Sequence, residues 1–462
     1  MKNEKDRRRE VCPLRKVREF LYPLCLSLVG LLVTLPLGAF GEPQKETLNL
    51  ESYLLKVVER NPSIKADRFK ARAQWEDLRV TVADQRLQIT LSPSVERWTY
   101  YPDQRSDQTL SLIFQQPLDL SGLYRAQERK ALYAYRKTLH DYGSTLNSLL
   151  GSAEQSYWQC VFAEHKVTLL EKILKQRQDV LDLLELELRE NLITRLDVTK
   201  GEINLGEVES SLATARGDLG GFRADLEGYA PGAEISPAST KDLPEGLLSS
   251  KDLEENFEAN PDIRSAQSNL DYTRMLYAIA RKQDSLKVQL QGTYRAWTDY
   301  TYHYSDVEEG EWDLLLYVEI PLVDGGKKRA NIQKNRHLLE EAEKRLEAAR
   351  EQVRKEYRKA RNDWESGANN VAVLRQQQEY ARKNLEDTLT LYRERLTDVF
   401  DLMDALEKDE QARTQLLDAQ LNMFLARSKM REQQGAYLAR ISEREATSLS
   451  ELPEEEHAGI RK

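Results

Sequence analysis

The residues best placed to act chemically are three carboxylates at a spacing of three, Asp398, Asp401 and Asp404, followed by an unbroken helical pattern to about Gln434. Three residues apart on a helix, Asp401 and Asp404 share a face, where paired carboxylates attract cations. Asp398-x-x-Asp401 has a second meaning, because an acid in the first turn after a capping residue is also how a helix starts, as in Thr194-x-x-Asp197. Catalytic patterns find no footing. The five histidines (His140, His165, His303, His337, His457) are dispersed, and no HExxH, GxSxG or Walker loop occurs. Gly325-Gly326-Lys327-Lys328 lacks the spacing of a phosphate loop and is expected to be a hinge between strand and helix. Methionine is scarce and stands apart from His and Cys, which argues against soft-metal transfer. No catalytic residue, metal or cofactor is therefore expected, and the chemistry on offer is electrostatic.

Positioning those carboxylates is the task of an unusual set of elements. Trp312, Leu314, Leu316, Val318, Ile320 and Leu322 occupy alternate positions, the period of a strand with one apolar face, and Pro321 argues against a central strand of a soluble sheet. After the Gly pair the period becomes helical from Lys327 to Glu394. At 1.5 Å per residue such a helix is about 100 Å long, far beyond a globular core. A sheet in one compartment and a rod reaching into another is the implied arrangement.

The chain contains this plan twice. Glu59-Arg60-Asn61-Pro62-Ser63-Ile64 returns as Glu258-Ala259-Asn260-Pro261-Asp262-Ile263, and Leu87, Ile89, Leu91 and Trp98 return as Leu286, Val288, Leu290 and Trp297. Each copy is expected to run from an Asn-capped helix to about Arg86 or Gln283, through two strands, into a long helix and a shorter returning one. The strands are Leu87 to Tyr100 and Gln108 to Leu120, then Leu286 to Tyr302 and Trp312 to Val323, each long enough to cross a bilayer at a tilt. Trp98, Tyr100, Tyr101, Trp297, Tyr300, Tyr302 and Tyr304 gather at one end, as an interfacial girdle would. A surface hairpin pair packed on helices is the plainer alternative. In the first long helix, about Leu123 to Glu190, nine successive heptad positions from Leu132 to Leu188 are Leu, Ala, Cys or Val. Cys160 lies in that seam.

The expected domains are a signal peptide (1–41), a first repeat (42–229, strand pair 87–120, helical hairpin 123–229) and a linker (230–250). A second repeat (251–436, strand pair 286–323, hairpin 327–436) and an acidic disordered tail (437–462) complete the chain. The leader reading rests on a basic region, an apolar run from Phe20 to Leu37 and Ala39-Phe40-Gly41; a membrane anchor is the alternative. Without that leader's eight basic and four acidic residues, the 68 Lys+Arg and 77 Asp+Glu become 60 and 73, a net charge of −13 that disfavours nucleic acid. Beyond it no apolar run of about twenty residues remains, so membrane contact falls to the strands. Four strands have open edges that hydrocarbon cannot satisfy, so copies must associate to close them.

On these features together the chain resembles the TolC-type outer membrane efflux family over essentially its whole length beyond the leader. The resemblance is carried by Asn-Pro-x-Ile opening both repeats and by the strand ends Pro117-Leu118-Asp119-Leu120-Ser121-Gly122 and Pro321-Leu322-Val323-Asp324-Gly325-Gly326. The turns Leu188 to Val198 and Tyr392 to Leu402 complete it, with Asn191 and Arg395 where the family has Gly. It implies a mainly α fold in which long heptad coiled-coil helices form an α-barrel. Four strands per protomer would contribute to a trimeric, 12-stranded transmembrane β-barrel in the outer membrane of a Gram-negative bacterium. It also implies a passive channel of a tripartite efflux or type I secretion system, working with a periplasmic adaptor protein and an inner membrane pump of RND, ABC or MFS type. By that resemblance Asp401 and Asp404 ring the aperture, and Leu192, Ile193, Thr194, Leu396 and Thr397 meet the adaptor. Leu314, Leu316, Val318 and Ile320 face outer membrane lipid. The competing reading is a secreted, soluble coiled-coil scaffold.

Overall fold

The computed structural model describes residues 46–100, 103–232, 235–237, 255, 257–283, 287–300, 310–320 and 322–438. The leader, Tyr101, Tyr302, Tyr304, Pro321 and nearly all of the expected tail lie outside them. So do the side chains of Trp98, Tyr100, Trp297 and Tyr300.

Two asparagines organise the fold. Asn61 Oδ1 accepts from the backbone of Ser63 at 2.9 Å and Ile64 at 3.4 Å, starting helix α2 (Pro62–Ala83). Its Nδ2 donates 3.0 Å to Tyr229 O, at the end of α4 (Arg195–Tyr229). Asn260 repeats this: Oδ1 caps α5 (Pro261–Lys282), and Nδ2 donates 2.7 Å to Gln433 O at the end of α7 (Val399–Gln434). One buried amide thus serves an orphan donor pair at a helix start and an orphan carbonyl at a helix end, the two kinds of group a helix leaves unpaired. The expected copies are closed units joined at these points.

Between them run the long helices α3 (Leu123–Arg189) and α6 (Lys327–Arg393), each 67 residues or about 100 Å. Each is entered from a strand through an Asp and a glycine of positive φ. Asp119 accepts from the Tyr124 and Arg125 amides before α3, with Gly122 at φ 68°. Asp324 accepts from Gly326 and Lys328, with Gly325 and Gly326 at 63° and 88°. The glycine hinge is therefore real, and the cap is supplied from upstream. None of the nine heptad positions of α3 is exposed, and Cys160 is fully buried. The four successive residues Cys160, Val161, Phe162 and Ala163 are all buried, so α3 is wedged among α2, α4, α5 and α7 rather than paired along one seam. The copies are not equivalent: α3 buries 23 residues and α6 only nine, leaving most of the α6 surface open. Two buried ion pairs cross from α3 to α7, Arg177 to Glu410 at 3.1 Å and Glu154 to Arg431 at 3.6 Å.

Four strands, β2 (Gln88–Tyr100), β3 (Asp103–Leu118), β5 (Lys287–Tyr300) and β6 (Glu311–Glu319), form one antiparallel sheet in the order β2-β3-β5-β6. β3 starts earlier than the expected Gln108, and β6 stops at Glu319, short of the expected Val323; Pro321 brings no N–H to extend the ladder. Three elements were not foreseen. Helix α1 (Leu50–Arg60) precedes the first Asn-Pro, with Asn61 as its C-cap, and β1 (Glu46–Leu48) pairs in parallel with β4 (Ile235–Pro237) inside the expected linker. Among the described residues no helix is long and apolar enough to cross a membrane.

Candidate functional site

At the far end of the helical rods, both hairpins turn in the same way. After α3, Asn191 takes φ 58°, and the Leu192 and Asn191 amides return to Glu187 O at 2.9 Å and Leu188 O at 3.0 Å. After α6, Arg395 takes φ 60°, and the Leu396 and Arg395 amides return to Leu391 O and Tyr392 O, both at 2.9 Å. This is the Schellman ending, which normally recruits glycine. Arginine adopts it because two otherwise orphaned carbonyls are satisfied, against roughly 1–2 kcal/mol for the left-handed backbone. The two departures from the family's glycine thus leave the turn intact.

The returning helices then start with acids. Thr194 and Asp197 form a reciprocal capping box, whose hydrogen bonds from the Thr194 hydroxyl and amide hold the Asp197 carboxyl below the usual carboxylate range. In the second hairpin Asp398 accepts from the Asp401 amide at 3.1 Å, and the Thr397 hydroxyl donates to the Asp401 carboxylate. Asp401 is therefore engaged as a helix-start group. Asp404 is not; it pairs with Lys408 at 2.5 Å, both side chains being more than half exposed. Asp401 and Asp404 do share the exposed face of α7, while Leu402 and Val399 turn into the tip's core with Leu184 and Val198. The corresponding position in the first copy holds Lys200, whose ammonium lies over the Phe400 ring and has no hydrogen-bond acceptor among the described residues. The repeat sets Lys200 against Asp404 but carries no signal for this aromatic contact. Nor does it carry one for the Tyr392 hydroxyl, which donates to Glu187 across the hairpins and whose titration is pushed up by burial and then by that carboxylate.

Of the five tip candidates, Leu192 and Leu396 project to solvent. Ile193 packs on the tip core, and the Thr194 and Thr397 hydroxyls are spent on Asp197 and Asp401.

At the other end, the strand register sorts the sheet into two chemistries. Residues paired across a ladder share a face. One face carries the rows Ile89, Phe114, Gly292, Leu314 and Leu91, Leu112, Tyr294, Trp312. The other carries Gln88, Gln115, Gln291, Leu315 and Thr90, Ile113, Thr293, Asp313. Leu314, Leu316, Val318 and Ile320 are 73%, 60%, 51% and 61% exposed on the apolar side. Such a face needs a cover, and the edge strands β2 and β6 need partners. Among the described residues no cluster of His, Cys, Asp and Glu is arranged to hold a metal.

Residues 54–228 and 253–436 match the family described as outer membrane efflux protein, one match to each repeat. No curated protein sequence matches the chain. Among solved structures, the chain is similar to a membrane protein from Pseudomonas aeruginosa (15% identity, 83% of this chain and 92% of that one, TM-score 0.75). It is also similar to the open state of the MtrE outer membrane channel of Neisseria gonorrhoeae (17%, 84% and 89%, 0.74) and to the CmeC outer membrane channel of Campylobacter jejuni (14%, 88% and 90%, 0.76). At these identities the likeness is one of fold.

Proposed function

The chain belongs to the outer membrane efflux protein family, and from that membership we propose that it is the outer membrane duct of a tripartite efflux or type I secretion system, passively conducting what an inner membrane pump and a periplasmic adaptor deliver. The observation that carries this reading is the sheet. It has one apolar and one polar face and two unpaired edges, and it runs directly into helices about 100 Å long. Three copies, as the family resemblance implies, would close twelve strands with the apolar face toward lipid and the polar face toward water. The open flank of α6 would then be covered by the next copy. A soluble scaffold leaves the apolar face and both edges without a use.

In this arrangement Asp401 and Asp404 of three copies meet at the hairpin tips, and Leu192 and Leu396 are the side chains free to meet an adaptor. The test is the state of the purified protein. A detergent-stable trimer recovered from outer membranes and conducting in planar bilayers is expected. A monomer released from the envelope without detergent would overturn the proposal in favour of the scaffold.

A further inference from the structure

Between the row of Lys287 and the row of Asp313 the polar face of the sheet is uncharged, and the next charged group is a triad. Arg295 Nη1 lies 2.8 Å from Glu311 Oε2, and its Nη2 lies 2.9 Å from Asp313 Oδ2. Arg295 pairs with Glu311 and Ser111 in the ladder, and Asp313 stands two residues along β6, so all three share that face. The triad carries one positive and two negative charges, and Asp313 Oδ1 has no hydrogen-bond partner among the described residues. Lys287 and Glu319, also on this face, neutralise one another at the helix end, 3.2 Å apart, and the register puts Glu96 and Asp107 on it two rows beyond the triad. Arg295 is eight register steps from Lys287 (295 − 287 = 8). That is about 27 Å along the strand and, at a tilt of about 40°, about 21 Å along the barrel. An outer membrane barrel has an apolar band about 25 Å tall, edged by aromatics. On the opposite face, beside the triad, Tyr294 and Trp312 meet at a tilt with centroids 4.6 Å apart, and Phe114 stacks on Trp312 at 6.1 Å. The triad thus lies at the outer edge of the span.

We propose that Arg295, Glu311 and Asp313 form a selectivity ring inside the outer mouth of the barrel, favouring cations and cationic cargo, at a site separate from the hairpin tips. The inference rests on the trimeric barrel proposed above. Three copies carry a net charge of −3, with Arg295 both holding the two carboxylates in place and halving their charge.

Twelve strands at about 4.8 Å spacing and that tilt give a backbone radius of about 12 Å, which puts the charged ends about 8 Å from the axis. Changing one unit charge per protomer there alters the concentration of a monovalent ion about threefold at 0.1 M salt, and in opposite senses for cations and anions. The potential is read by placing a thiol in the ring's neighbourhood. Ser94→Cys stands on the same face, exposed, near the row of the triad. Its rates with a trimethylammonium and a sulfonate methanethiosulfonate reagent are compared in native outer membranes, against protein lacking that cysteine. The ratio of cationic to anionic rates is expected to rise about tenfold in Arg295→Gln and fall about tenfold in Asp313→Asn, with Arg295→Lys at the wild-type ratio. Reaction of Ser94→Cys at a ratio unchanged in both neutralising variants would overturn the ring while leaving the barrel standing. Labelling of Ser94→Cys only by an apolar, membrane-partitioning maleimide would instead place this face in lipid and remove the barrel reading on which the ring depends.

Discussion

Replacing Leu316 by Arg tests the orientation of the sheet most directly. The apolar rows of the β5–β6 ladder run from Val288–Val318 to Tyr294–Trp312, and their midpoint falls between Leu290–Leu316 and Gly292–Leu314. Leu316 is therefore within one residue of the centre of the apolar band. A guanidinium at that depth on the lipid face costs about 2–4 kcal/mol, and a trimer carries three, so about 6–12 kcal/mol opposes insertion of one channel. The neighbouring Tyr317 pairs with Gln289 on the polar face, where Arg meets water and a ladder of Gln, Thr and Ser. Ile320 follows the strand toward the helices, where the penalty falls to about 0–1 kcal/mol per site. The measurement is the fraction of each variant recovered from outer membranes as a heat-modifiable trimer. The expected order is Leu316→Arg far below Ile320→Arg, with Tyr317→Arg near wild type. Equal recovery of Leu316→Arg and Tyr317→Arg would show that the two faces do not meet different solvents, and the barrel would have to be abandoned.

The other expectations are more local. Asn260→Ala removes a cap worth about 1 kcal/mol and strands a buried carbonyl at about 1–3 kcal/mol, so it should lower the temperature at which the trimer dissociates; Asn260→Ser, which restores only the cap, should recover part of the loss. Cys160, fully buried and with its thiol pushed up to about 12 by burial, should react with maleimide only after denaturation, and fast labelling of native protein would contradict its place in the core. Exchanging both Asp401 and Asp404 for Ala should weaken block by trivalent cations in bilayer recordings. Loss of trimer stability with unchanged block would mark them as helix-start residues alone. The Asp197 carboxyl titrates below its ordinary 3.8, so the stability it lends the first tip is present above that pH and is lost as pH falls through its lowered value. Proteolysis at Leu192 is expected to quicken there, and Asp197→Asn should remove the pH dependence.

Much of this architecture was legible because it repeats. Asn-Pro appears twice, alternation appears in four strands, and the heptads run too long for a globular helix, so each signal checks the others. What stayed hidden depends on partners far along the chain. The β1–β4 pairing joins three-residue segments with no period of their own, and α1 is a helix of 11 residues whose C-cap is already used as the cap of the next. The residue type of Arg395 argues against a left-handed backbone, and the reward lies in carbonyls of the preceding turn rather than in its own side chain. At the tips, residue types were readable and engagements were not. Thr397 turns its hydroxyl to Asp401, and Lys408 reaches Asp404, through choices of rotamer that spacing permits but does not dictate.

The asparagine junctions have a consequence for ancestry and for engineering. Asn61 brings the start of its repeat to Tyr229, and Asn260 brings the start of the next to Gln433, so each unit begins and ends at one place. A unit of that kind can be copied in tandem without a long bridge, since the second copy sets out from where the first has returned. It also lends itself to circular permutation: joining the ends of the two-repeat chain and reopening it between Tyr229 and Asn260 would cut no long helix and no strand of the sheet. Among the described residues the β1–β4 pair, the Arg60 bond to Gly232 O and the packing of Phe257 on Tyr357 are at stake there, which makes the stretch between them the natural place to cut the gene, insert a tag, or express two halves for reassembly.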